Sequence, residues 1–583
     1  MKSQDEGRVV LVVLVAAAVP ILVAVARVLI QQDFALNGDD ALIELRVRDV
    51  GSHTPLLGSY QRFGWNQPGP LLFYLLVLPY RLAGSEFAGL QVGALLLNAG
   101  AVVGIGIVAY RRGGLALFLW TMALAGVLTS ALGGFRVADP WEPNVTVLAC
   151  ALLLVLAADA ASGRVWSLPC VAGVASLLAQ AYAVVAPIAA ALLAWAMLAG
   201  FLSAWRRRTQ RRGTERRRLF QAGAVTAAVL VVLWLPPLVE ELGAGTGNVT
   251  AMVDFARTKR ETIGLSDGYR AVALQFDHRA SWLGADVPIQ TFAPTVDIGA
   301  APAVPVALLV LVGATALAVW RRSGAAVIGM TVLVAAVAGV FAMAQLVDGV
   351  FSWNVEWARS LGMACWLASG WCVYCSLRPS LRSRFERVLS PVLLVAVLAL
   401  SAVNVARFAS TARPTRLQAA LLELADRAVT ESRRVEGPIL VRSRADSSQV
   451  VIGGSVGAEI VTLALARAGA AVVVDNDLAN RFGEHRADPG RAKVEFRLVF
   501  GDIHPNGFRV VATVDPLTRR ERRDRERLEG ELAELSEGVE PQPGDTLATL
   551  GAEVDRNPKL RAIVEQLALI DDLDPLTLLV REL

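Results

Sequence analysis

The sequence predicts a mainly α-helical protein that crosses a membrane about eleven times and ends in a separate α/β domain. Three observations carry this reading. The 583-residue chain is 55% hydrophobic and only 19% charged, too apolar for a water-soluble protein of that length. Its apolar runs approach the roughly 20 residues that cross a bilayer as a helix. After Arg407 the composition changes to that of a soluble domain of about 175 residues.

The apolar runs lie at 9–30, 88–109, 115–132, 145–160, 166–185, 187–204, 219–238, 302–319, 324–346, 357–376 and 388–406. The N-terminus, MKSQDEGR before an apolar run, resembles a signal-anchor without a small-residue cleavage site and reads as helix 1. A twelfth run, Leu71 to Leu82, is short and broken by Pro79. Charge decides its status. If it does not cross, Lys2 and Arg8, Arg111-Arg112, Arg164, the eight arginines of 206–218, Arg321-Arg322 and the arginines from Arg378 to Arg387 all fall on one side. That is the positive-inside pattern, so 71–82 is expected to be an interfacial or re-entrant helix. The outer side then holds 31–87, 133–144, 239–301, 347–356 and everything after about 407. The chain divides into a transmembrane domain, 1–406, and an extracytoplasmic domain, 407–583.

Other features have plain readings. The five cysteines lie in apolar stretches, so neither a disulfide framework nor a redox centre at Cys372-x-x-Cys375 is expected. Gly100 and Gly104 are a small-xxx-small pair for close helix packing. In the tail, 438–442, 471–475, 493–500 and 508–515 read as strands, and 453–469 and 516–536 as helices. GGSVG at 453–457 reads as a glycine turn admitting a helix against a sheet, and the last 45 residues as a helix pair with loops around the PQPGD linker at 541–545. No aromatic-plus-basic platform suggests nucleic acid. No His/Cys cluster has metal-ligand spacing.

The polar chemistry concentrates outside the spans. In LNGDDALIELRVRDVG, Asp39 or Asp40 caps a helix. Asp40, Glu44 and Arg48 fall on one stripe opposite Ile43, Val47 and Val50, as in a helix lying on a membrane surface. One carboxylate suffices for the cap, which leaves the other for a general base. SYQRFGWNQPGP (59–70) supplies Arg62, Trp65, Asn66 and Gln67, a mix that suits a sugar and equally a membrane-interface belt. RVADPWEPN (136–144) supplies Asp139 and Glu142 on a proline-stiffened turn that could face the first loop. His278, Glu356 and Arg359 complete the outer polar set, and Lys259, Arg260, Arg62, Arg27 and Arg359 are the cations for an anionic headgroup. Two facing carboxylates could hold a divalent ion, but no oxygen-ligand motif is complete.

This layout resembles the GT-C superfamily of membrane glycosyltransferases, through LNGDDALIEL, RVADPWEPN and GPLLFYLLVLPYRL. The aminoarabinose and protein-mannosyl transferases are nearest in layout. The stretch DVGSHTPLLGSYQRFGWNQPGPLLFYLLVLPYRLAG is similar to actinobacterial members. The resemblance covers roughly residues 1–405 in architecture, while its specific motifs span some 50 residues. It implies a polyprenyl-phosphate-linked sugar as donor, arabinofuranose or mannose being the first to consider. The acceptor would be a glycan, lipid or protein of the cell envelope at the plasma membrane, reached by inverting displacement. It also implies a base among Asp39 and Asp40, with Asp39 favoured, a second acid at Asp139, and Arg359 on the leaving phosphate. The alternative is a transporter or flippase of lipid-linked sugar. The apolar spans carry almost no ionisable residue at mid-membrane and no visible inverted repeat, which disfavours ion-coupled transport.

Overall fold

The computed structural model describes residues 2–30, 36–208, 214–243, 247–258, 260–289, 295–409, 414–444, 457–501, 505–535 and 575–583, with single positions between 559 and 567. The chain forms two compact units. The first comprises Met1–Gln32, Leu56–Gln290 and Pro294–Thr411, and the second Asp33–Pro55, Thr291–Ala293 and Ala412–Leu583.

The first unit is helical, and every one of the eleven apolar runs falls on helix. Among the described residues, seven helices are long and apolar enough to cross a membrane: Glu6–Ile30, Phe87–Ala138, Glu142–Ala161, Ala183–Ser203, Arg217–Gly243, Ala326–Ala344 and Pro379–Ala409. Two of the runs share the helix Phe87–Ala138, which is kinked at Gly113 and Gly114 (φ 63°), just after Arg111-Arg112. The positive φ there is one that a side-chain-bearing residue adopts only with strain.

Leu71–Leu82 is a 12-residue helix, about 18 Å long at 1.5 Å per residue, well short of a hydrocarbon core of about 30 Å. It buries Leu72, Phe73, Leu76 and Tyr80 against Phe87–Ala138. Two glycines allow the approach. A Cβ on Gly89 would come within 2.6 Å of the Tyr80 backbone, and one on Gly93 within 2.6 Å of Leu76. The small-residue pair expected at 100 and 104 is half used: a Cβ on Gly104 would meet Leu152 at 2.9 Å, while one on Gly100 would meet open space.

The second unit is a five-stranded sheet, with β1 Ile439–Arg444, β2 Val472–Val473, β3 Val494–Phe500, β4 Arg509–Val514 and β5 Leu576–Glu582 in the order β2-β1-β3-β5-β4. β1 runs parallel to β2 and β3, and β5 runs antiparallel to both β3 and β4. The terminal residues are therefore not part of a helix pair. LTLLVRE inserts between two strands and buries Leu576, Leu578, Leu579 and Val580. A continuous apolar run of this length is what a strand covered on both faces requires. The PQPGD linker and most of GGSVG lie outside the described residues.

The helix Gly38–Asp49 belongs to this second unit and packs on the helix Ala458–Arg467. The expectation of a surface helix with an exposed acidic stripe is overturned. Ala41, Leu45, Val47 and Glu44 are all fully buried, so the helix is enclosed on several sides. Glu44 is tolerated because Arg467 grips both its oxygens, at 2.7 and 2.5 Å. Asp49 is gripped likewise by Arg486, at 2.8 and 2.7 Å, with His485 at 3.5 Å. Arg48 donates to the Ala466 carbonyl at 3.3 Å. Forked, two-point pairs of this kind match a guanidinium to a carboxylate. The polar stretch between the first two apolar runs is thus split, with 36–55 in the second unit and 56–70 in the first.

Two outcomes test this packing. Arg467→Ala strands the buried Glu44 charge, a loss of about 3 kcal/mol; proteolysis of the second unit in the full chain should accelerate on the order of a hundredfold. His485 stacks on His53 with centroids 4.0 Å apart. Burial and then Arg486 hold its imidazole down at about 4, against the pull of Asp49, while His53 and Arg46 add to the depression. The folded unit thus refuses a proton that the unfolded chain accepts below its ordinary value of 6.5. This contribution to stability is complete above pH 6.5 and is lost as pH falls toward 4. In His485→Gln the pH dependence of proteolytic resistance should flatten across that window.

Candidate functional site

The candidate site of the first unit is built on the turn between Phe87–Ala138 and Glu142–Ala161. Asp139 follows the last residue of the first helix, and Pro143 sits in the first turn of the second, where a missing N–H costs nothing. The Asp139 carboxylate folds back on this turn. Its Oδ1 accepts the Trp141 N–H at 2.9 Å and its Oδ2 the Asn144 amide at 2.7 Å. Glu142, one of the first helical residues, accepts the Ser59 hydroxyl. Asp139 and Glu142 are 7% and 6% exposed, so both carboxylates are held away from bulk water.

A third acid enters from the segment after Ala326–Ala344. The short helix Ser352–Val355 runs into the turn Glu356–Ala358, which packs on Glu142–Ala161. Glu356 and Arg359 are both buried and lie one helical turn apart. Arg359 holds Glu356 at 2.6 and 3.0 Å and donates to the Ser281 carbonyl at 2.7 Å. Arg136, partly exposed, approaches Glu356 at 3.8 Å. Tyr182, in the turn after Leu168–Ala181, joins this segment through Asn354. Its hydroxyl accepts from the Asn354 amide at 3.0 Å. It also donates to the Trp353 carbonyl at 3.4 Å.

The 59–70 segment is locked beside this cluster. Gln67 Oε1 accepts the Ala183 N–H, next to Tyr182, at 2.7 Å. Asn66 and Asn248 exchange bonds, N–H to Oδ1 at 2.8 Å and Nδ2–H to O at 2.9 Å. Gly58 is required here, since a Cβ would lie 2.7 Å from both the Gln67 side chain and the Gly69 carbonyl.

The structure therefore gathers Gln67, Asp139, Glu142, Glu356 and Arg359, with Asn66 alongside. It does not gather the rest. Arg359, expected as a cation for a leaving phosphate, is already neutralised by Glu356 and capped by a carbonyl. His278 is exposed and bonded to its own neighbour, Asp277, at 2.6 Å. Arg62 is exposed, pairs with Asp348 at 3.3 Å and lies over Phe63 and Phe351. Arg260 lies over Phe63 and Phe255, and Trp65 meets Phe255 edge-on. Lys259 lies outside the described residues.

Asp39, Asp40 and Glu44 belong to the second unit. Asp40 is buried and closes a capping box with Asn37, its N–H donating to Asn37 Oδ1 at 2.9 Å and its Oδ2 accepting the Asn37 N–H at 3.2 Å. Asp39 is exposed in the first helical turn. Glu44 is closed off by Arg467. Among the described residues no group of three or more His, Cys, Asp or Glu is arranged to hold a metal ion. The site residues that reading the chain missed are Ser59, Arg136, Asn144, Tyr182 and Asn354. Tyr182 lay inside a run read only as apolar. Asn354 lay in FSWNVEW, where nothing in the spacing marks a partner for it.

No family profile and no curated protein sequence matches the chain. The solved structures similar to it include two of one protein. ArnT from Cupriavidus metallidurans bound to undecaprenyl phosphate is 12% identical, over 85% of this chain and 95% of that one, with a TM-score of 0.49. ArnT from Cupriavidus metallidurans in the apo state is 11% identical, over 83% and 92%, with a TM-score of 0.47.

The Glu356–Arg359 assignment has a direct test. Arg359→Ala leaves a buried carboxylate without its main partner and should lower stability by about 3–5 kcal/mol. Arg359→Lys cannot reproduce the fork and should recover less than half of that, read as the thermal midpoint of the detergent-solubilised chain. Retention of wild-type stability by Arg359→Ala would return Arg359 to the pool of ligand-binding cations.

Proposed function

We propose that the chain is a membrane glycosyltransferase of the kind its sequence resembles. It would move a sugar from a polyprenyl-phosphate donor to a cell-envelope acceptor at the outer face of the plasma membrane. The observation that supports this most is the buried Asp139–Glu142–Tyr182–Glu356 cluster at the polar end of apolar helices. A lipid-linked donor keeps its tail in hydrocarbon while its sugar reaches such a cluster. The positive-inside pattern puts this end outside the cytoplasm, with the N-terminus inside and the second unit outside.

In the proposed reaction an acceptor hydroxyl attacks the anomeric carbon. Its proton passes to a carboxylate, the new glycosidic bond forms, and the old bond breaks with its electron pair leaving on polyprenyl phosphate. Positive charge develops on the sugar ring in the transition state, and carboxylates held without freedom to reorient stabilise it. Asp139 and Glu142 are assigned that role and the holding of sugar hydroxyls. Arg136, partly exposed, is assigned as the cation for the phosphate. The resemblance assigns the proton acceptor to the Asp39-Asp40 pair. The choice falls on Asp39, because its carboxylate is exposed while Asp40 is committed to the helix cap. Arabinofuranose and mannose are the sugars proposed first.

Purified protein supplied with short-chain polyprenyl-phosphate arabinofuranose or mannose should release polyprenyl phosphate and glycosylate an acceptor. Asp39→Asn and Glu142→Gln should each lower kcat by about 100-fold or more. Asp40→Asn should cost about 1 kcal/mol of stability through the cap and change transfer far less. Full transfer by Asp39→Asn removes the base assignment. Wild-type protein that consumes neither donor, while moving it between leaflets of a vesicle, would establish the flippase instead.

A further inference from the structure

A row of aromatic rings interleaved with arginines leads away from the acid turn, and the reaction proposed above does not use it. The row begins at Trp141, two residues after Asp139 and next to Glu142. Trp141 meets Trp353 edge-on at 6.1 Å, and Trp353 stacks on Phe351 at 4.7 Å with the planes 4° apart. The Arg62 guanidinium lies over Phe351 at 5.2 Å and over Phe63 at 4.9 Å, joining the two rings. Phe63 then meets Phe255 at 4.7 Å, and Arg260 covers Phe255 at 4.5 Å. Four separate segments of the first unit thus contribute to one row. None of its rings sits inside a helix long and apolar enough to cross a membrane. Every ring is only half-buried, and both arginines are exposed. Arg62 is balanced by Asp348, while Arg260 has no carboxylate partner among the described residues.

A hydrophobic core does not interleave rings with guanidinium groups, and half-exposed aromatic patches on loops mark places where something binds. The chemistry of the row narrows the occupant. Aromatic faces carry negative quadrupole density and attract the polarised C–H face of a sugar ring. Exposed guanidinium N–H groups are donors to sugar hydroxyls and ring oxygens, in a fork that stacking holds in place. With one of its two cations already paired, the row is too weakly charged to select a polyanion.

We propose that this row is the acceptor subsite, and that the acceptor is an extended, essentially neutral oligosaccharide. Successive sugars lie along Phe255, Phe63, Phe351 and Trp353, and the terminal hydroxyl is delivered at Trp141 to the acid turn. This deepens the glycosyltransferase reading and rests on it, but it predicts a binding event that needs no donor and no turnover.

The test is binding of manno- and arabino-oligosaccharides of two to six units to the full chain in detergent, by calorimetry and by tryptophan fluorescence, without donor. Wild type should bind the hexasaccharide of one series at least tenfold more tightly than its disaccharide, with a change in tryptophan emission. Phe63→Ala and Phe255→Ala should each weaken hexasaccharide binding about tenfold and abolish the length dependence. Phe63→Tyr and Phe255→Trp should restore both, which separates a lost stacking surface from a lost fold. If wild type transfers sugar to a simple glycoside yet shows no length-dependent binding, the subsite is overturned and the transferase reading stands. If length-dependent binding is seen in a protein that transfers nothing, the subsite stands and the transferase reading falls. If the alanine variants bind the hexasaccharide as wild type does but lose affinity for phosphatidylglycerol vesicles, the row is a membrane anchor and the proposal is wrong.

Discussion

A carboxylate withdrawn from water must be met by a cation or by N–H and O–H donors, and much of the placement in this protein follows from that requirement. Glu44 and Asp49 are met by the forks of Arg467 and Arg486, which bind the helix Gly38–Asp49 into the second unit. Glu495, fully buried in the middle of the sheet, is met by Arg442, Arg497 and Arg581 from its own and the flanking strands. Glu356 is met by Arg359, and Asp139 by an N–H and an amide of its own turn. Where the acids go is therefore a matter of which partner reaches them.

The same rule separates acids that are satisfied structurally from acids still suited to chemistry. A carboxylate held by a two-point arginine pair has both oxygens occupied and its charge cancelled. Glu44 and Asp49 are of that kind, while Arg359 gives Glu356 one hydrogen bond and one further ion-pair contact. Glu142 accepts the hydroxyl of Ser59, a neutral donor. Asp139 likewise takes neutral donors. A buried carboxylate oriented by neutral donors is suited to stabilising a developing positive charge.

Much of the helical architecture was legible along the chain, because an apolar run has one stable answer in hydrocarbon: a helix that satisfies its own backbone. The acidic turn RVADPWEPN was legible for a local reason, its two prolines and the Asx-type bond both being encoded within nine residues. The fate of DDALIELRVRD was not. Helical spacing showed an amphipathic helix, but periodicity cannot say that a second face will be covered by a helix more than 400 residues later in the chain. Arg359 is a similar case. Its sequence neighbour Glu356 was visible at helical spacing, yet only the fold showed that both are buried and so must neutralise each other. The last strand was missed because LTLLVRE is short, and helix and strand are indistinguishable in so brief an apolar run.

By itself the sequence determined where helices form, where the polar turns interrupt them and which turns carry acids, since each of these depends on residues close together in the chain. Tertiary structure alone decided which acid is sealed by an arginine, which caps a helix and which accepts from neutral donors. It also decided that rings from four distant segments line up in one row. Those outcomes depend on groups far apart in sequence being held at contact distance, where burial turns a weak surface attraction into an obligation to pair.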